Sequence, residues 1–429
     1  MRSPISLVVL SLLVWSCVPS GDGPTTVPPT PEVTTTVVGT TTAVLGRPVV
    51  PGGIEELPPA LQDQIIELVA LTEEIRELRF IKPPKVVVVE AEELSTRVEE
   101  LIKTEADSAE VDDLIFGLLG LIDKDIVLED LLVELYGDQV AGYYDGDADE
   151  LVFKGRKDQL TSLESSVLVH ELTHALSDQH FDFFQPYNDL FDADRFDEAA
   201  GWQAIIEGDA VFSEVRRLQL MSRRDRLAFL EEARKVDTSI LDSTPTFLAE
   251  QFVYPYETGV QYVAALYTNG GYESINAAYV NPPRSTEQVL RSKEEAPLEV
   301  AAPELTMPGY ELVRTSTWGE LAFQAMFNQE VAADSRAATV GWGGDGYRVY
   351  RNGDDIVFVM AYRGDATDDA REMAGALRKL AANSIDTSQR DGEVFTGNDF
   401  AYVAREGDAV TFVAATDPEV QALVVAQVG

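Results

Sequence analysis

One stretch constrains this chain more than any other: SSVLVHELTHALSDQHF, residues 165–181. It holds all three histidines of a 429-residue protein, His170, His174 and His180. Apolar Val167, Leu168, Val169 and Leu172 bury the body of the helix that this spacing predicts. His170 and His174 stand four apart with Glu171 between them, the pattern H-E-x-x-H. Four residues advance a helix by about 400°, so both imidazoles leave nearly the same face, one turn apart. Two ligands of a tetrahedral zinc need that separation. Glu171 is turned by about 100° from His170. That puts it beside the metal position, where it can take a proton from an activated water.

The formal charge of −41 excludes one large class of partner. Such a surface repels phosphate backbones, so nucleic-acid binding is not expected. The N-terminus reads as an export signal. Arg2 gives a minimal positive start, and Ile5 to Trp15 is apolar but short for a bilayer span. Cys17, the single cysteine, follows at once, so no disulfide can form within the chain. Residues 18–53 are rich in Pro, Thr and Gly and read as an extended tether.

Folding is expected from Ile54. Helical spacing covers residues 58–80, and the β-branched run in KPPKVVVVEA predicts a buried strand. Short helices follow, then a turn at DGDADE and a strand, Leu151–Lys154, just before the histidine helix. That strand is either a sheet edge lining a cleft, where a peptide can add as an extra strand, or an ordinary scaffold strand. A long helix is expected from about Asp197 to Met221, and further helices over 247–271 and 272–280. Ser285 and Gln288 read as a capping box. The C-terminal part changes texture: hairpins at 347–362 and 399–416 flank a helix, and a last helix closes the chain. The expected fold class is therefore α+β. Residues 1–17 are a signal segment, 18–53 a tether, 54–328 a mostly helical domain with a small sheet, and 329–429 a small α+β domain.

QVAGYYD (139–145), HELTHALSDQHF (170–181), IIEGDA (205–210), YPYETGVQYV (254–263), PPRSTEQ (282–288) and GWGGDGY (341–347) occur in this order. As an ordered set with the H-E-L-T-H element, they resemble the zincin metalloproteases. Within that group they resemble a family of bacterial exported, lipoprotein-type metallopeptidases. The resemblance spans most of the chain after the tether. It implies a zincin-like fold, a Zn2+ cofactor and a peptide or protein substrate. LVWSC likewise resembles a lipobox, which implies a lipid anchor at Cys17 and a place on the outer side of the cell membrane. Trp15 departs from the small or β-branched residue usual there.

A catalytic zinc needs a third protein ligand, and two candidates compete. HELTHALSDQH has the spacing of the metzincin signature, which would make it His180. Ser177 replaces the glycine that turns the chain there, at a cost of about 1 kcal/mol or more. If the helix continues instead, His180 falls about 120° off the metal face. Glu207 in GWQAIIEGDA sits on a separate helix, as the third ligand does in gluzincins, and is the preferred candidate. Ala200, Ala204 and Gly208 form a stripe of small residues beside it, expected to bring the two helices together. Gluzincins often place an Asp four residues past that ligand. Here the position is Val211, so an orienting carboxylate must come from elsewhere.

Tyr254 and Tyr256 lie in YPYETG. By resemblance to zinc aminopeptidases, Tyr256 is the candidate to stabilise an oxyanion; a packed aromatic is the plainer reading. The expectation is thus an exported zinc peptidase. The catalytic residues are Glu171 and Tyr256, and the ligands are His170, His174 and Glu207. The rival from another class is the same fold used as a non-catalytic envelope binding or scaffold protein.

Overall fold

Two sheets, each backed by helices, organise the chain. This computed structural model describes residues 9–12, 49–103, 106–124, 126–156 and 158–429. Of residues 1–17, expected as a signal segment, Val9–Leu12 (β1) is described; Arg2, Trp15 and Cys17, with residues 18–48 of the expected tether, lie outside the described residues. Residues 49–53, the end of the expected tether, are among the described residues. The Gly52 N–H donates to the Pro84 carbonyl, and the Val86 N–H to that of Gly52, each at 2.9 Å.

Helix α1 (Pro59–Arg76) has proline at its start, where no amide hydrogen is needed. It buries Leu61, Ile65, Leu68 and Val69, and also the polar Thr72, Glu73 and Arg76. Strand β2 (Lys85–Val89) follows, then helices α2 (Ala91–Lys103), α3 (Ala106–Leu118) and α4 (Leu128–Gln139). The chain passes straight from α4 into β3 (Val140–Asp145) and turns over Asp145, whose Oδ1 accepts the Asp147 and Ala148 amides. It then enters β4 (Glu150–Lys154).

The first sheet runs β1-β3-β4-β2. β2 is parallel to β4, with Val86 opposite Leu151; β3 is antiparallel to β4, with Tyr143 opposite Val152. This corrects the edge reading of Leu151–Lys154. Leu151, Val152 and Phe153 are all fully buried, as consecutive apolar residues of an interior strand are. β3 and β2 flank it, and β1 pairs along the far side of β3 with Val9 opposite Tyr144.

Helix α5 (Ser162–Phe181) packs against β3 and β4. It opens on a capping box that the sequence analysis does not single out. Thr161 Oγ1 accepts the Glu164 amide at 3.2 Å, and Glu164 Oε2 accepts that of Thr161 at 2.7 Å. Then come α6 (Phe184–Asp192), α7 (Phe196–Leu220), α8 (Arg223–Ala233), α9 (Ser239–Ser243), α10 (Thr246–Val280) and α11 (Thr286–Arg291). α10 is broken at Gly270 and Gly271, which separates the two helices expected there. The Ser285 hydroxyl caps α11, but the Gln288 side chain accepts from Arg284 rather than from Ser285. The expected box is therefore half formed.

β5 (Glu311–Ser316), α12 (Gly319–Glu330) and α13 (Ser335–Thr339) lead into β6 (Trp342–Asn352) and β7 (Asp355–Gly364). After α14 (Thr367–Asn383) come β8 (Thr387–Asp391), β9 (Val394–Gly397), β10 (Phe400–Glu406), β11 (Ala409–Ala415) and α15 (Gln421–Val428). The second sheet is antiparallel, in the order β5-β6-β7-β11-β10-β9-β8. One face packs Phe358, Met360 and Phe412 against α14, α12, Phe247 of α10 and Ile115 of α3. The other holds Val357, Val359, Tyr402 and Val413 beneath Met307 and Val424. The protein is thus mixed α+β with a C-terminal antiparallel sheet. Among the described residues no helix is long and apolar enough to cross a membrane.

Candidate metal centre

The centre is built where α5 crosses α7. Residues 165–177 of α5 are buried without interruption, so a histidine there is removed from water whatever face it occupies. His170, Glu171, His174 and Glu207 are each at most 2% exposed. The ligand atoms of His170, His174 and Glu207 all lie within 4.8 Å of one another. Glu207 Oε2 is 3.0 Å from His170 Nε2 and 3.6 Å from His174 Nε2. The two imidazoles are 4.7 Å apart and nearly perpendicular.

Hydrogen bonding treats the two histidines differently. His170 Nδ1 donates to Glu214 Oε1 at 2.8 Å, and Ser166 Oγ donates to the other oxygen of that carboxylate, also at 2.8 Å. Among the described residues, both ring nitrogens of His174 and Oε1 of Glu207 are buried without a hydrogen-bond partner. Buried polar atoms are costly when unmatched. His170 Nε2, His174 Nε2 and the Glu207 carboxylate, which face one another, make the donor set a divalent metal takes. This group could hold a metal ion.

Electrostatics follow the same asymmetry. Burial pulls the His170 pKa down, but its bonds to Glu207 and Glu214 outweigh burial and hold it well above the ordinary value. His174 is lowered, because burial exceeds the pull of Glu207 and the His170 charge adds to it. Burial favours a neutral Glu207, yet the two histidines together lower its pKa.

His180 is elsewhere. α5 runs unbroken past Ser177 to Phe181, and the exposed His180 donates from Nε2 to the Arg79 carbonyl at 2.8 Å. Ser177 turns no chain; its hydroxyl donates to Asp209 Oδ2 at 3.2 Å. Asp209 also pairs with Arg76 at 2.9 Å and accepts from Tyr279 at 3.1 Å. Arg76 is fully buried, bonds Asn276 and lies over the Tyr272 ring at 4.8 Å. One ionic knot therefore ties α1, α5, α7 and α10 together two residues beyond Glu207.

The small-residue stripe is also corrected. Ala204 and Gly208 face α10 rather than α5: a Cβ on Gly208 would overlap the Gly259 backbone, and one on Gly259 would overlap the Ala204 carbonyl. The close approach that fixes α7 is thus to α10. Tyr256 lies on that helix, 5% exposed, its ring stacked 6.4 Å from His170. Tyr254 points into a different pocket of the interior, near Asp197, Tyr262 and Glu320, with its hydroxyl unpartnered.

The start of α7 is latched from the far side. Asp197 accepts from the Thr286 amide at 3.1 Å and from the Thr286 hydroxyl, and it packs on Gly319 at the head of α12. Asp345 in turn accepts the Trp318 and Gly319 amides and the Trp342 indole. PPRSTEQ and GWGGDGY therefore hold the helix that carries Glu207. Glu214, Asp209, Arg76 and Asp197 were not singled out from sequence. The spacing of Glu214, two turns past Glu207, was the available signal for the first.

Residues 308–425 match the model of a family described as a domain of unknown function, DUF8575. This is the second sheet with its helices, and it does not include the His170–Glu207 group. No curated protein and no solved structure matches the chain.

Proposed function

We propose that the protein is a zinc-dependent peptidase of the zincin type, exported and held at the membrane through a lipid on Cys17. The observation that carries the reading is the buried trio of His170, His174 and Glu207, with donor atoms within 4.8 Å and with His174 Nε2 and Glu207 Oε1 unmatched among the described residues. His170 Nε2, His174 Nε2 and a Glu207 oxygen would hold the ion, one turn of α5 supplying two ligands and α7 the third. When bound, zinc supplies a Lewis acid for the scissile carbonyl and a lowered pKa for water.

The rest falls to the chain. Glu171, buried between the two histidines in sequence, takes the proton of the attacking water and returns it to the leaving amine. Tyr256, stacked beside His170, donates to the oxyanion as it forms. Burial keeps these groups in a low-dielectric setting, where each interaction is stronger than in water.

One observation favours the rival scaffold reading: the four central side chains are at most 2% exposed, so a peptide reaches them only if their cover moves. Tyr256, stacked beside His170, is part of that cover, and it belongs to one apolar cluster with Val140, Tyr143, Phe252 and Tyr136. The deciding experiment pairs metal analysis of the purified protein with cleavage of an unstructured protein substrate, with and without a chelator. Bound zinc with chelator-sensitive cleavage supports the peptidase. Bound zinc without cleavage supports the scaffold, and no bound metal removes the peptidase and leaves the scaffold, which works with or without metal.

A further inference from the structure

The two histidines of the centre share one helix face but not one support. Among the described residues, His174 Nδ1 has no hydrogen-bond partner. His170 has Glu214, whose two oxygens span a full turn of α5: Oε1 takes the Nδ1 proton of His170, and Oε2 takes the hydroxyl proton of Ser166, four residues earlier. Ser166 is fully buried, so this second bond fixes where the carboxylate stands. Glu214 is itself about two turns beyond Glu207 on α7, so both carboxylates leave the same face of that helix. They meet opposite nitrogens of one imidazole. One turn past Glu207 the chain offers only Val211, which packs with the apolar group around Tyr256.

We infer that Glu214 is the positioning residue of this centre: it holds the proton on His170 Nδ1 and so keeps Nε2 aimed at Glu207 and the metal position. The inference rests on the metal reading of the trio, and it extends that reading to a residue outside the ligand set. Its physical basis is that an imidazole has two nitrogens, and a hydrogen bond at one decides what the other can do. A carboxylate in that role also makes the ligand nitrogen a better electron donor. His174 has no such carboxylate at Nδ1 among the described residues; its ring packs against that of His170.

The chain makes the test simple, because it has only three histidines. Full-length protein labelled with 15N-histidine gives three sets of ring signals, with exposed His180 as internal reference. In the metal-free wild type, a slowly exchanging proton on His170 Nδ1 is expected. Glu214→Ala should lose that protected proton and should weaken zinc in a competition titration by about 10- to 100-fold. Glu214→Gln, whose amide oxygen still accepts, should keep the proton signal and lose less affinity. Equal unfolding midpoints of the metal-free chains will show that the fold is held in all three. Glu214→Ala with a protected Nδ1 proton and wild-type zinc affinity overturns the inference. If the wild type binds no zinc, the metal reading fails, and the imidazole proton alone decides whether Glu214 positions His170. If zinc binds but nothing is cleaved, the peptidase reading fails and the positioning role stands.

Discussion

Glu207 on α7 and His170 on α5 face each other with Oε2 3.0 Å from Nε2, both side chains closed to water. The residues come from helices 37 positions apart in sequence, and neither helix alone builds the contact. The contact exists because α7 is pinned on three sides. Its Gly208 lies against Gly259, its Asp209 is knotted to Arg76 and Ser177, and its first turn is latched to Thr286.

Glu171→Gln should leave the metal in place, since both histidines and Glu207 remain. An amide cannot accept the proton of water, so turnover should drop by about 10²- to 10⁴-fold. Metal content and cleavage rate on the same preparation check this. Undiminished turnover removes Glu171 from the mechanism.

The Arg76–Asp209 pair is fully buried on both sides. Asp209→Ala leaves the guanidinium uncompensated and takes an acceptor from Ser177 and Tyr279, so it should destabilise the fold by about 3–5 kcal/mol. Removing both charges, as Arg76→Met with Asp209→Leu, should cost less than the two single changes added together. Urea unfolding of the four chains measures this. A loss of under about 1 kcal/mol for Asp209→Ala would show that the knot is not what holds the helices.

Asp197 supplies a pH dependence of known sign. Burial raises its pKa to about 7, against the partial relief of its bonds to Thr286; Asp345 and Glu320 add to the rise. The folded chain therefore keeps this proton where the unfolded chain, with an ordinary Asp near 3.9, has released it. Between about pH 4 and about pH 7 the folded state binds more protons, so this group's contribution to stability falls as pH rises through that window. Asp197→Asn keeps an acceptor for Thr286 and removes the titration. Its stability relative to wild type should climb from about pH 5 to about pH 8. A difference that stays flat with pH contradicts the assignment.

Much of this was legible in the sequence, where one element carried its own signal. H-E-x-x-H fixed two imidazoles on one face because four residues are nearly one helical turn, and the helices of α5, α7, α10 and α14 followed from apolar spacing. What failed depended on partners. The stripe Ala200–Ala204–Gly208 announced a close approach but not to which helix, and the other half of the contact is Gly259, fifty residues on. β3 was missed because it continues α4 without a break and carries Gly142, and β8 because its TSQRD faces water. Edge and interior placement of β4 both stay open in the sequence because pairing on both sides is a property of the sheet, not of the strand. Arg76, Asp209 and Glu214 looked like ordinary surface charge in a chain of 74 acidic residues, and only the tertiary fold buries or pairs them.

The central claim is that two of the three histidines, with Glu207, form the metal centre. Zinc titration of Glu207→Ala and His180→Ala beside the wild type tests it most directly. Loss of a ligand should weaken zinc well beyond the roughly 10- to 100-fold typical of an outer partner. Glu207→Ala should therefore give up zinc to a mild chelator, while His180→Ala, whose ring only caps the Arg79 carbonyl, should hold it at wild-type affinity. Zinc lost from His180→Ala and retained by Glu207→Ala would contradict the account.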